Sequence, residues 1–160
     1  MKQEYEYTDQ ILELLEKKHA VIHALIEAMK VQIICFEDQD FDEERYDRIE
    51  QRKDEYIGRM EDYNEEQDEL MKKAEEELRY LIQIHHEKSK LLHQKLEELN
   101  QMSAIYRQTE SQLREAVKLY ISEERKKMQE MQNQRNSAET YYKNMNGIAQ
   151  AGYGVYDLRR

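Results

Sequence analysis

The chain has 160 residues, no proline, no tryptophan, one cysteine and four glycines, and 38% of it is charged, with a net charge of −10. That length allows one domain with a thin core, and one cysteine excludes both an intramolecular disulfide and a cysteine-rich zinc site. The acidic balance argues against nucleic acid as the ligand, because phosphate binding needs clustered lysine and arginine. The charge is unevenly placed. Residues 37–77 carry 19 acids against 7 bases, a net of −12, whereas residues 118–160 carry 8 bases against 5 acids, a net of +3. With no proline to break a helix and little glycine to loosen one, the composition predicts an all-α chain.

The first predicted helix spans about 8–36. Leu12, Leu15, His19, Ile22, Ile26, Met29, Ile33 and Phe36 recur at steps of three and four. A second stripe of Ile11, Leu14, Lys18, Val21, Leu25, Ala28, Gln32 and Cys35 lies beside it. Residues so spaced share one helix face, and two adjacent stripes make a face wide enough for two neighbours. Thr8 stands where an N-cap is expected, with Tyr7 and Leu12 as a hydrophobic staple. The polar run Glu37-Asp38-Gln39-Asp40 ends the pattern, and Asp42 is the next expected N-cap, with Phe41 and Tyr46 as its staple. So short a connection joins antiparallel neighbours.

The second predicted helix, about 42–73, carries the seam Tyr46, Ile49, Lys53, Tyr56, Met60, Tyr63, Gln67 and Leu70. Tyrosine buries its ring and keeps its hydroxyl wet, which suits the edge of a thin bundle. A turn is expected near 72–77, because Glu75-Glu76-Glu77 favours a new helix start. The third predicted helix, about 77–146, carries Leu78, Ile82, His85, Ser89, Leu92, Leu96, Leu99, Ser103, Tyr106, Glu110, Leu113, Val117 and Tyr120. At ~1.5 Å per residue it outruns the first helix, so its continuation through Ile121, Met128, Met131, Ala138, Tyr142 and Met145 has no helix left to cover it. Gly147, Gly152 and Gly154 should end that helix and leave residues 147–160 as a flexible tail. The expected fold is an elongated, antiparallel three-helix bundle or coiled coil over 1–146, with a long C-terminal helix and that tail.

Catalytic furniture is sparse. The four glycines make no phosphate-binding loop. Glu16-Lys17-Lys18-His19 matches one half of a di-iron motif, but no second Glu-x-x-His follows. His19 and His23 share a face, and His85, His86 and His93 sit on one later helix. The serines lie in helical heptads with no positioned base. The sequence therefore implies no enzyme, no cofactor and no metal site. The first nine residues carry three acids and no apolar run, unlike a signal peptide. The longest uninterrupted apolar run, Ile33–Phe36, is far short of the ~20 residues of a membrane span. A cytoplasmic binding protein without nucleic-acid or membrane-inserting function is the expectation. Its candidate client site is Met128, Met131, Tyr142 and Met145, followed by Tyr153 and Tyr156 in the tail. Methionine adapts to varied partners, and tyrosine anchors interfaces.

Three stretches carry a family resemblance. The first is Leu25-Ile26-Glu27-Ala28-Met29 with Gln32 and the acidic break through Phe41. The second is Tyr46-Asp47-Arg48-Ile49-Glu50-Gln51-Arg52-Lys53-Asp54-Glu55-Tyr56-Ile57. The third is Tyr142-Lys143-Asn144, then Tyr153 to Asp157 and the terminal Arg159-Arg160. In their order these features resemble the FlgN/FliT-like flagellar export chaperones of Gram-positive bacteria. The ending departs from that family's usual aromatic-isoleucine-aspartate pattern, with Val155-Tyr156-Asp157 here. The resemblance implies a cytoplasmic chaperone that holds an unassembled axial protein, either a hook-filament junction protein or the filament cap. It further implies prevention of premature assembly and delivery to the export apparatus. The other expectation from the uncovered stripe is a self-associating coiled-coil scaffold, a homo-oligomer without a client.

Overall fold

The computed structural model describes residues 5–37 and 40–153, with side chains described as far as Gly147. The chain is all-α: α1 spans Glu6–Glu37, α2 Glu43–Lys73, α3 Glu75–Gln83 and α4 Glu87–Tyr153. It divides into two units, Met1–Ala116 and Val117–Arg160.

The first unit is a helical bundle whose core is α1. Both stripes read from the sequence are used. Ile11, Leu14, Leu15, Ile22 and Ile26 cluster with Leu70 of α2, Ala74, and Leu92 and Leu99 of α4. Burying each large aliphatic side chain contributes roughly 1.5–3 kcal/mol relative to leaving it exposed. Polar contacts give the register. Gln32 meets Glu50 and Lys53, and Lys18 donates to Gln67, so α1 and α2 advance in opposite directions. Lys88 meets Asp9 at 2.6 Å and Lys95 meets Glu16 at 2.9 Å, so α4 advances with α1. An 18-residue stretch of α1, with mean hydropathy 1.4, reaches the length and apolarity of a membrane span. Short runs hide this in the sequence, because the apolar residues are distributed over two stripes. In the bundle those stripes form the core.

The start of α1 differs from the expected Thr8 cap. The helix begins at Glu6, and Thr8 is fully buried inside the first turn. Its backbone N–H donates to Glu77 Oε1 at 3.0 Å. A carboxylate from α3 thus satisfies a free amide and complements the helix dipole. Asp42 does cap α2, its carboxylate accepting from the Arg45 N–H at 3.1 Å. Phe36 and Phe41 stack at 4.6 Å, and Tyr46 packs against both rings.

The turn expected at 72–77 is not a reversal. The helix does break there, α2 ending at Lys73 and α3 starting at Glu75, but the Ala74 N–H still bonds to the Leu70 carbonyl and the Ala74 carbonyl accepts from the Leu78 N–H, each at 2.8 Å, so the chain keeps its direction. Alanine is the strongest helix former and holds the chain there. The reversal lies instead at Ile84–His86 and divides the predicted third helix into α3 and α4. The His86 N–H bonds to the Leu81 carbonyl and the His85 N–H to the Ile82 carbonyl, a Schellman motif. His85 occupies the left-handed position of that motif, at φ 53°. Ile82 and His85, expected in the seam, are consequently exposed, and Leu81 is buried in their place. The imidazole Nδ1 of His86 then accepts from the Lys88 N–H at 3.0 Å and starts α4. Glycine relieves left-handed strain, so His85→Gly should raise stability by about 0.5–1 kcal/mol. Urea unfolding will measure it, and a loss of stability would contradict the motif.

The second unit, described by itself, is the helix from Val117 to Tyr153. Helix continues past 146, where the glycines were expected to end it. An isolated glycine costs a helix only ~1 kcal/mol, and no proline follows to enforce a stop. Residues 154–160, the rest of the expected tail, lie outside the described residues.

Candidate functional site

No residue from Val117 to Gly147 is buried. The helix nevertheless carries a regular apolar stripe, Val117, Ile121, Met128, Met131, Ala138, Tyr142 and Met145, at steps of three and four once Glu124 and Arg135 are counted in. Met128 is 69% exposed, Met131 63% and Tyr142 66%. Met145 and Ile121 are less open but still exposed. The Tyr141 ring meets Tyr142 edge-on at 5.9 Å. Tyr141 was not singled out from the sequence, because it sits one position off the stripe. Its signal was the adjacent tyrosine pair. Glu124 is engaged by Lys127 within its own helix at 3.4 Å. The stripe thus offers flexible thioethers and the Tyr142 phenol ring on one face, with Tyr141 at its edge, interrupted by one acid and one base. Of the remaining predicted site residues, Tyr153 is the last residue of α4, and its side chain is outside the described set. Tyr156 lies outside the described residues altogether.

Open grooves mark the surface of the first unit. One, of about 510 Å³, runs between Ala24, Glu27, Ala28 and Val31 on α1 and Arg45, Arg48, Ile49, Arg52 and Tyr56 on α2. The small α1 residues open it and the three arginines make it basic, although the surrounding sequence is strongly acidic. Sequence reading missed it, since the net charge of residues 37–77 masks a basic face that appears only at helical spacing. Another groove, of about 280 Å³, is lined by Ile22, Leu25, Ile57, Met60, Ser103 and Tyr106 among others.

Between α1 and α2 lies a partly buried polar triangle. Lys53, 8% exposed, donates to Gln32 Oε1 and Glu50 Oε1, both at 2.9 Å, and Gln32 Nε2 donates to Glu50 Oε1 at 2.6 Å. Burial pushes the Glu50 carboxyl upward. The hydrogen bonds from Gln32 and Lys53 and the Lys53 charge outweigh it and hold the group below its ordinary value. Tyr46 and Tyr106 are raised, first by burial and then by Glu50 and other acidic neighbours. Lys18 is lowered by burial, partly offset by Asp68. The triangle closes on itself, which suits a structural role better than a reactive one.

Glu16, of the half di-iron motif, accepts from Lys95. His19 shares that hollow with Leu15, Lys95 and Glu98. Among the described residues, no three of His, Cys, Asp or Glu converge as a metal site. The chain matches no known family model, no curated protein and no solved structure.

Proposed function

We propose that this chain is a non-enzymatic, cytoplasmic flagellar export chaperone. It binds unassembled axial proteins, hook-filament junction or filament-cap proteins, and prevents their premature assembly. The observation that carries the reading is the stripe of Met128, Met131, Tyr142 and Met145, helical and exposed in a unit with no buried residue among those described. Exposed large apolar side chains arranged contiguously mark interaction surfaces. The three stretches that resemble the FlgN/FliT-like chaperones support the choice of client class. In this reading α1, α2 with α3, and the first part of α4 form an antiparallel three-helix bundle that serves as the platform.

A disordered client segment that becomes an amphipathic helix lays its apolar face along the stripe, as in other helix-in-groove recognition. Methionine side chains adjust to the client surface at little strain. The net charge of +3 over residues 118–160 favours an acidic client segment and speeds encounter. Deletion of residues 128–160 tests the site. Client capture, measured by pull-down against purified axial proteins, should be lost, while circular dichroism and the melting temperature of the first unit persist. Full binding by the truncated chain would move the site to the groove around Met60 and Tyr106.

A further inference from the structure

The two polar interruptions of the α4 stripe have opposite charge, and their positions identify a partner. Along the helix the stripe runs Val117, Ile121, Glu124, Met128, Met131, Arg135, Ala138, Tyr142. These are the alternating four- and three-residue steps of a coiled-coil seam. In a parallel pair of identical helices each seam position meets itself, so Glu124 faces Glu124 and Arg135 faces Arg135. Two like-charged layers then oppose association. In an antiparallel pair centred between Gln129 and Glu130, each position meets its mirror. Glu124 then faces Arg135 of the second copy, and Arg135 faces Glu124. Met128 faces Met131, Ile121 faces the small Ala138, and Val117 faces Tyr142. Large residues meet small or flexible ones, and both charges are paired. Sliding the copies by one heptad either way places each charge opposite an apolar residue.

We propose that the exposed face of residues 117–142 is the homodimer interface of this protein, occupied by a second copy running antiparallel in that one register. The same face is used in both copies, so the contact is isologous and closes at two chains. It therefore yields a dimer and not a growing scaffold. The flanking positions agree: Lys127 meets Gln134 of the second copy and Tyr120 meets Tyr141, with no like charges opposed. The intrahelical contact of Glu124 with Lys127 is an exposed i,i+3 pair and yields readily to the new partner. The inference does not depend on the client reading. If both hold, the dimer covers the stripe until a client displaces one copy.

Light scattering coupled to gel filtration tests the proposal on the full chain. The wild type should have twice the 19.6 kDa chain mass at micromolar concentration. Glu124→Arg alone places arginine against Arg135, and Arg135→Glu alone places glutamate against Glu124. Each should weaken association at least about tenfold and give single-chain mass. An equimolar mixture of the two variants pairs every arginine with a glutamate and should return to the double mass. The chain carrying both substitutions should do the same by itself. Circular dichroism checks that all variants keep wild-type helicity, as expected for exposed positions. A wild type of single-chain mass overturns the proposal. So do single variants that stay dimeric with unchanged affinity, or a mixture that fails to reassociate.

Discussion

Ile26→Ala will lower the unfolding free energy by about 2–5 kcal/mol, the cost of deleting a large aliphatic side chain from a packed interior. Ile26 is 3% exposed and belongs to the cluster that joins α1 to Leu70 of α2 and to Leu92 and Leu99 of α4. That cluster draws its side chains from three helices, so the loss falls on the packed interior of the first unit. Met128→Ala removes a side chain of similar size from a solvated face and will change stability by less than about 0.5 kcal/mol. Urea denaturation followed by circular dichroism measures both. Equal midpoints for wild type and Ile26→Ala would show that α1 is not the core.

The second large effect is at the buried triangle. Lys53→Met will destabilise by about 1–3 kcal/mol, because it leaves the buried Gln32 carbonyl without its donor. The figure stays below that of a fully buried broken ion pair because the Glu50 side chain retains 41% of its accessibility. Adding Gln32→Leu removes the orphaned group and will recover most of the loss, so the two changes will be non-additive. The pH dependence has a definite sign. The folded-state value of Glu50 is depressed, so its contribution is complete above the ordinary carboxylate range. It is lost as pH falls through the depressed value. Lys53→Met will flatten this acid-side loss. An unchanged acid limb in that variant would show that Lys53 does not hold Glu50 ionised.

The helical class and the face of α1 were legible because spacing and composition agree over more than thirty residues. Gln32, Lys18 and Lys53 were read as polar residues within apolar stripes, and the structure turns each inward against a partner. The Asp42 start was legible because its signal is local. The reversal at His85 was not, since left-handed backbone normally calls for glycine and none is present. The three glutamates after Ala74 do open a helix, α3, as their local dipole signal predicts. Their sequence does not reveal that Glu77 also completes the start of α1. Such pairings depend on tertiary packing that no local window contains. For the candidate surface, counting helices was enough to expect an uncovered stripe. The arginine groove stayed hidden because only folding separates Arg45, Arg48 and Arg52 from the acids around them.

The bond from the Thr8 amide to Glu77 spans 69 residues of chain. It has a consequence for biosynthesis. While the ribosome is still making α2, the leading turn of α1 has no carboxylate to complete it, and its amides remain solvated. At roughly 5–20 residues per second, that interval lasts several seconds. The N-terminal turn of α1 is therefore among the last pieces of that helix to become protected, although it is the first to emerge. In hydrogen exchange on nascent chains, the amides around Thr8 will gain protection only after Glu77 has cleared the exit tunnel.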